Sequence, residues 1–390
     1  MNGTDELLSY GVAEIIEADA LQQRLSAKKS LTVKLGVDPT SQDLHLGHAV
    51  VLRKLRQFQD LGHQAVLVIG DFTSKIGDPS GRNATRPVLT DEEIATNMAT
   101  YVEQAKIILD EKKTKIVHNS TWLAKMTLTD LLGYAMQINV NTLLEREDFH
   151  GRLKNQQSLG LHELLYPLTQ AIDSVELKAD VEIGGWDQRL NLLLGRELQK
   201  KLGQPPQEVV IVKALIGLDG ERKMSKSLGN YIGLTESPDQ VFGKVMSIPD
   251  KLTDQYAELA ALMKAAEIKA LPTHPKDRKA VVAKAITALY HGEAEASAAA
   301  ERFDKTFSQK QGGQDLADAV VLPGFEIALL EAVKQAAQVS GSEAARLIAQ
   351  RGVKLDGTIC EDPDLLIDVT KKSYQLQVGK HRFYELTKED

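Results

Sequence analysis

The chain reads as α/β: a doubly wound parallel sheet with a helical insertion, followed by an α-helical domain and a small α+β domain. Three observations predict this. Residues 31–70 run strand, loop, helix, strand. Residues 251–310 are rich in Ala, Lys and Glu at helical spacing, without strand-like alternation. Beyond Ser340, short β-type runs are separated by tight-turn signals. The expected boundaries are residues 1–220, with the insertion at about 91–160, then 221–320 and 327–390.

Each element has a local reason. Leu31-Thr-Val-Lys-Leu-Gly36 is a short strand, and Val37-Asp-Pro-Thr-Ser-Gln-Asp43 is a loop punctuated by Pro39. A helix from about Leu46 to Leu61 stops at Gly62. Ala65-Val-Leu-Val-Ile-Gly70 is a continuous apolar run, as in a parallel strand buried on both faces, and completes a βαβ unit. Asp91–Asp110 and Thr127–Tyr134 read as helices of the insertion. The alternation returns with a strand at Asp180–Gly184, a helix from Gln188 and a strand at Glu208–Val212. The helical domain follows Ser237, and Gln311-Gly-Gly-Gln-Asp is a polar break. Ser340-Gly-Ser-Glu343 is a capping box that opens a helix through Arg351, ended by Gly352. Val353–Ile359 is two strands about an Asp-Gly turn, and Tyr374–Val378 with Arg382–Leu386 is a hairpin.

Composition narrows the function. At 390 residues with 43% hydrophobic and 26% charged content, the chain can bury two or three globular cores. One cysteine, Cys360, excludes an internal disulfide and a multi-cysteine zinc site. The opening segment lacks a basic stretch followed by an apolar core, and no apolar run reaches the roughly 20 residues that span a bilayer, so a cytosolic protein is expected. A net charge of −7 argues against indiscriminate nucleic-acid binding; an RNA partner needs a local basic face.

Two strings carry chemistry. His45-Leu46-Gly47-His48 stands where a helix begins, so free N–H groups, a positive dipole end and two imidazoles on one face of the first turn can meet a phosphate chain. Gly47 lets a flat group approach the backbone. Lys223-Met-Ser-Lys-Ser227 lies between Asp219-Gly220 and Leu228-Gly229-Asn230. Two mobile ammonium groups there can close on a pyrophosphate as its charge develops. Alone, the first string also reads as local capping and the second as a solvated charge run. Together they read as a clamp on a nucleoside triphosphate attacked at its α-phosphate.

This pair resembles the two signatures of class I aminoacyl-tRNA synthetases. Gly36-Val-Asp-Pro-Thr40, Ile76-Gly-Asp-Pro-Ser-Gly-Arg82, Tyr166-Pro-Leu-Thr-Gln170-Ala-Ile-Asp173 and Ile183-Gly-Gly-Trp-Asp-Gln188 resemble the bacterial tyrosyl-tRNA synthetase family, nearly end to end. The C-terminal unit is similar to ribosomal-S4-like RNA-binding domains. The resemblance implies a Rossmann-like catalytic domain, a helical anticodon-binding domain and an RNA-binding tail. It implies that tyrosine is activated with ATP and Mg2+, with no permanently bound cofactor, and that tyrosyl passes to the terminal adenosine of tRNA. The attacking carboxylate is already anionic, so no general base is needed.

The same resemblance assigns roles. His45, His48, Lys223, Lys226 and Thr40 act on the triphosphate, and Arg82 and Arg86 belong to a basic loop that turns toward pyrophosphate. Asp78, Tyr166 and Gln170 hold the tyrosine α-ammonium, Gln188 lies near the substrate's polar groups, and Asp173 takes the phenol proton. Gly36, Asp38, Gly47, Gly185 and Ser227 line the ATP site, and Asp187 takes the ribose hydroxyls. Tyr166, Gln170 and Asp173 share one helix face, while Leu164, Leu165, Leu168 and Ile172 supply an apolar one. Trp122 and the aliphatic residues of 123–144 read as core or interface. Two positions depart from the family. Lys34 replaces a tyrosine that shares the phenol hydroxyl, and can pair with Asp173 instead. Trp186 replaces a small residue, and either points outward or narrows the site.

For RNA, Arg346, Arg351, Lys354, Lys380 and Arg382 of the tail are the candidates, with the Lys264–Lys284 basic residues of the helical domain either contacting the anticodon or forming a solvated face. The resemblance implies a homodimer through the insertion. The alternatives are a tryptophanyl-tRNA synthetase and an RNA-binding paralogue without catalysis.

Overall fold

The computed structural model describes residues 3–27, 29–40, 43–80, 89–308, 318–322, 326–369, 372–379 and 382–388. The chain forms two compact units, Met1–Ser237 with Lys244–Tyr290, and Pro238–Gly243 with His291–Asp390.

The first unit is built on a six-stranded sheet of β1 (Val12–Ile16), β2 (Thr32–Val37), β3 (Gln64–Ile69), β4 (Thr114–His118), β5 (Val181–Gly185) and β6 (Glu208–Val212). Their order is β1-β6-β5-β2-β3-β4; β1 is antiparallel to β6 and the other neighbours are parallel. From β2 the chain winds outward through β3 to β4, then returns to β5 and winds the other way. The switch point therefore lies between β2 and β5, where open α/β sheets place their ligands. Only two rungs join these strands, Val33 to Val181 and Lys34 to Glu182. Beyond them the strands part and a cleft opens.

In this unit two strands, β1 and β4, were not anticipated. β4 lies inside the stretch expected to be mostly helical, and β1 precedes the first expected strand. Both are edge strands with half-exposed positions, so they lack the continuous apolar run that made β3 legible. The helices Leu46–Asp60, Leu161–Leu177 and Arg189–Lys201 pack on the sheet and carry the residues discussed below.

The second unit holds the helix Glu293–Ser308 and a five-stranded sheet. Its strands are β7 (Asp318–Leu322), β8 (Ile327–Ala328), β9 (Val353–Leu355), β10 (Thr358–Ile359), β11 (Leu366–Ile367), β12 (Tyr374–Val378) and β13 (Arg382–Lys388). The order is β10-β9-β12-β13-β7, with β8 and β11 paired separately. Helices Leu329–Ala337 and Gly341–Ala349 cover a core of Leu329, Val333, Ile348, Val353, Val378 and Leu386. Ser340 caps the second helix by accepting from the Glu343 N–H, and the expected hairpin is present. β7 starts within the stretch expected to end the helical domain, yet pairs in parallel with β13. The 311–315 break lies outside the described residues.

Candidate active site

The cleft above the β2–β5 fork has a volume of about 670 Å³, within the range of small-molecule sites. Its walls are the carboxyl ends of the parallel strands. Asp38 and Thr40 follow β2, Gly70 follows β3, Asn119 follows β4, and Gly185 and Asp187 end and follow β5. Gly36, Gly47, His45 and His48 also border it, as do Asp78, Tyr166, Gln170, Asp173, Gln188, Lys223, Lys226 and Ser227. Lys34 does not border it, and Arg82 and Arg86 lie outside the described residues.

One end is built around the helix that starts at Leu46. His45 and His48 stack with ring centroids 3.8 Å apart, and the His45 N–H donates to His48 Nδ1 at 3.2 Å. Burial holds both imidazoles below their usual range, reinforced at His45 by His48 and at both by Lys226 and Lys223; His48 falls to about 4. Both rings are therefore neutral near pH 7 and act as hydrogen-bonding groups without charge. His45 Nδ1 is buried without a partner. A Cβ on Gly47 would lie 3.0 Å from two His45 ring atoms, so glycine keeps this ring in place.

The lysine loop faces these histidines. Leu46 N–H donates to the Ile232 carbonyl, Leu234 N–H to the Leu44 carbonyl, and Met224 N–H to the Leu215 carbonyl, which ties the loop's flanks to the histidine turn and to the segment after β6. Asn230, which the sequence offered only as part of the loop's flank, staples the loop: its Oδ1 accepts from the Ser225 N–H at 2.8 Å and its Nδ2 donates to Asp219 at 2.9 Å. Lys223 Nζ lies 2.5 Å from Asp187 Oδ2, and Lys226 Nζ 2.7 Å from Asp43 Oδ2. Ser227 and Ser225 hydroxyls are 3.0 Å apart.

The opposite end centres on the helix Leu161–Leu177. Tyr166 donates from its hydroxyl to Asp38 Oδ2 at 2.9 Å, and Gln170 accepts from Asn191 at 3.1 Å. Asp78 accepts from Gln188 Nε2 at 2.7 Å. Asp173 accepts from Trp122 Nε1 at 2.8 Å and from Asn119 Nδ2 at 3.3 Å. Burial lifts the Asp173 carboxyl to about 6, against the Lys34 charge and these two donors. Trp122, read as core or interface, packs in the apolar cluster beneath the helix and also reaches this carboxylate. A Cβ on Gly70 would fall 1.9 Å from Asp38 Oδ1, so only glycine lets β3 end against this aspartate.

Lys34 corrects an expectation. It pairs with Glu182 at 2.9 Å, not with Asp173, because the parallel register puts the two directly across the last β2–β5 rung. Trp186 points outward, 59% exposed, with the Arg189 guanidinium 5.9 Å from its ring centroid, and does not narrow the cleft. Asn119 and Glu182 were missed. Asn119 follows a strand that the sequence hid, and Glu182 is a charged residue inside a strand, which was itself a signal.

In the second unit Arg346 pairs with Glu343 and Arg351 with Glu361. Register sets Lys354 across from Gln377, and Arg382 across from Val378, so these two cations stand on opposite faces of the sheet. Lys380 lies outside the described residues. In the first unit Arg278 and Lys279 are tied to Asp254 and Asp250.

A doubly wound sheet whose switch-point cleft carries a histidine-glycine turn and a paired-lysine loop defines a class I tRNA synthetase. The family model of tRNA synthetases class I (W and Y) matches residues 26–308. Tyrosine–tRNA ligase of Idiomarina loihiensis is 46% identical over 97% of this chain and 96% of that protein. Tyrosine–tRNA ligase of Thermotoga maritima is 45% identical over 98% of this chain and 96% of that protein. The chain belongs to the tyrosine–tRNA ligases of this class. Among solved structures, the Archaeoglobus fulgidus tyrosyl-tRNA synthetase complexed with L-tyrosine is 25% identical, with a TM-score of 0.63 over 77% of this chain and all of that one. The C-terminally truncated mitochondrial enzyme of Aspergillus nidulans, at 21% identity and a TM-score of 0.65 over 78% of this chain and 93% of that one, shares the fold.

Proposed function

We propose that this cleft forms tyrosyl-adenylate from tyrosine and ATP and then passes the tyrosyl group to the terminal adenosine of its tRNA. The observation that carries it is the arrangement of two unlike ends in one cavity, an amino-acid end and a triphosphate end, at the mouth of the β2–β5 fork. The tyrosine carboxylate attacks the α-phosphate, an oxygen–phosphorus bond forms, and pyrophosphate leaves with the electron pair. Catalysis is positioning and electrostatic stabilisation.

In this reading Asp78, Tyr166 and Gln170 hold the α-ammonium, with Gln188 beside Asp78, and Asp173 takes the phenol. Gly36 has open space where a Cβ would project, which suits a nucleoside lying against the backbone. His45 and His48, neutral, hydrogen-bond phosphate oxygens with Thr40, while Lys223 and Lys226 leave Asp187 and Asp43 to follow the departing charge. Both pairs are partly exposed, so the exchange costs little. Asp187 is then free for the ribose hydroxyls, and Gly47, Gly185 and Ser227 complete the wall. Arg82 and Arg86 are proposed to join at pyrophosphate. Magnesium enters bound to the triphosphate, where it neutralises phosphate charge.

RNA binding is assigned to the second unit, through Arg346, Arg351, Lys354, Lys380 and Arg382. A homodimer fits the exposed apolar row Leu128, Leu132, Met136 and Val140, with Met136 79% exposed. Among the described residues no helix is long and apolar enough to cross a membrane. The test is ATP–pyrophosphate exchange without tRNA, with tyrosine, phenylalanine and tryptophan in parallel. Exchange with tyrosine alone is expected. Exchange with tryptophan would move the assignment to a tryptophan enzyme, and none with any of the three would sink the activation step.

A further inference from the structure

The segment after β6 and the start of the lysine loop pair as a short antiparallel hairpin. The Gly217 N–H donates to the Arg222 carbonyl and the Met224 N–H to the Leu215 carbonyl, both at 2.8 Å, so Ile216 stands directly across from Lys223. In such a ladder alternate residues turn their peptide groups away from the partner strand, which leaves the N–H and carbonyl of Ile216 facing outward. The helix Thr253–Leu259 takes both. Gln255 Oε1 accepts from the Ile216 N–H at 3.1 Å, and the Tyr256 hydroxyl donates to the Ile216 carbonyl at 2.8 Å. Gln255 Nε2 also donates to the Ala214 carbonyl at 3.3 Å, and Glu258 pairs with Lys213 at 2.7 Å. Two side chains thus stand in for a third strand. Tyr256 is 0% exposed, and Arg278 holds the first turn of the helix through Asp254 at 2.7 Å.

Resting on the reading of the lysine loop as part of the triphosphate clamp, we propose that Gln255 and Tyr256 are positioning residues for adenylate formation. They fix the peptide opposite Lys223, so the hairpin is a rigid footing and only the loop beyond it moves when Lys223 and Lys226 leave their carboxylates. Without that footing the two ammonium groups search a wider volume and spend less time at the pyrophosphate. The loss falls on the chemical step, because the lysines act on charge that develops there. Tyrosine, held at the other end of the cleft, binds as before.

The test measures adenylate formation by rapid quench in the unmodified protein, Tyr256→Phe, Gln255→Leu, the pair Lys223→Ala with Lys226→Ala, and Tyr256→Phe added to that pair. Tyr256→Phe keeps the buried ring and removes one donor. It is expected to slow the step about tenfold, with the KM for tyrosine in pyrophosphate exchange unchanged. Gln255→Leu, at a half-buried position, is expected to do the same. In the loop without its lysines, Tyr256→Phe is expected to cost no more than about twofold further, because it acts through those side chains. Losses that multiply would mean a general structural effect and overturn the proposal. An unaltered rate in both single variants, or in the lysine pair, would overturn it too. Trypsin gives a readout that needs no activity: cleavage after Arg222, Lys223 or Lys226 is expected about tenfold faster in Tyr256→Phe. Cleavage at the parental rate would overturn the proposal. Faster cleavage in a protein that shows no exchange with tyrosine would support the footing and strike the functional reading instead.

Discussion

Lys34 and Glu182 meet at 2.9 Å across the last rung that joins β2 to β5, with side chains 0% and 1% exposed. The pair sits where the sheet forks, against the helix Leu161–Leu177. Its lysine also reaches Gln170 and Ser174, which flank Asp173. Two charges out of water stay there only because each has the other and several hydrogen bonds besides.

Removing one partner leaves the other charged and buried. Lys34→Met is expected to destabilise the first unit by about 3–5 kcal/mol, and Lys34→Met combined with Glu182→Leu by much less than the sum of the single changes. Denaturant titration followed by a probe in the first unit checks this. Additive losses would mean that the two side chains do not depend on each other.

The pH dependence of tyrosine activation follows from Asp173. Its carboxyl is raised to about 6 by burial, with Lys34 of β2 opposing and Glu182 of β5 reinforcing the shift. Above that pH it is an acceptor for the phenol; below, it carries a proton and competes as a donor. The kcat/KM for tyrosine is expected to fall about tenfold per unit below pH 6, and that for phenylalanine to stay flat. His48, at about 4, and His45, shifted further down, add nothing in this window. An equal acid limb for both substrates would assign the titration elsewhere.

The lysine loop separates stability from rate. Lys223 and Lys226 pair with carboxylates at partly exposed sites, worth about 1 kcal/mol or less. Lys223→Ala and Lys226→Ala are expected to leave the melting temperature within a few degrees and to slow adenylate formation by about a hundredfold or more. Rapid-quench measurement of that step, beside a thermal melt, decides it.

Gly47→Ala offers the opposite separation. Alanine is the better helix former by about 1 kcal/mol, but its Cβ would press on the His45 ring at 3.0 Å. The variant is expected to melt no lower than the parent while its KM for ATP rises at least about tenfold. Unchanged ATP kinetics would show that the His45 ring position is unimportant.

The exposed row on the insertion predicts the assembly. Leu132→Glu with Met136→Glu is expected to convert a dimer to a 42.8 kDa monomer in sedimentation experiments. A species of unchanged mass would place the contact elsewhere.

The sequence displayed the parts that depend on local pattern. The βαβ unit at 31–70, the Ser340 cap and the final hairpin follow from period and turn chemistry. Spacing also put Tyr166, Gln170 and Asp173 on one helix face, and all three border the cleft. What it hid depends on register. No local signal ties Lys34 to Glu182, because their meeting requires knowing that β2 and β5 are neighbours in that alignment. Asn119 and Trp122 follow β4, whose alternation blended into the surrounding helices. Trp186 was undecidable because its direction depends on the short helical turn Trp186–Gln188.

The pairing of β7 with β13 also bears on how the protein is made. Strand order in the second sheet places β13 between β12 and β7, so it bridges the early and late parts of that unit. Chains emerge from the ribosome in sequence order, at about 5–20 residues per second. The first unit can assemble once residue 290 is free, whereas β7 waits for residues 382–388 before it has a neighbour. A stalled ribosome or a premature stop just before that strand would release a chain with its first unit complete and β7 a bare edge, open to pairing with another chain. Translation errors late in the message would then cost the cell solubility as well as activity.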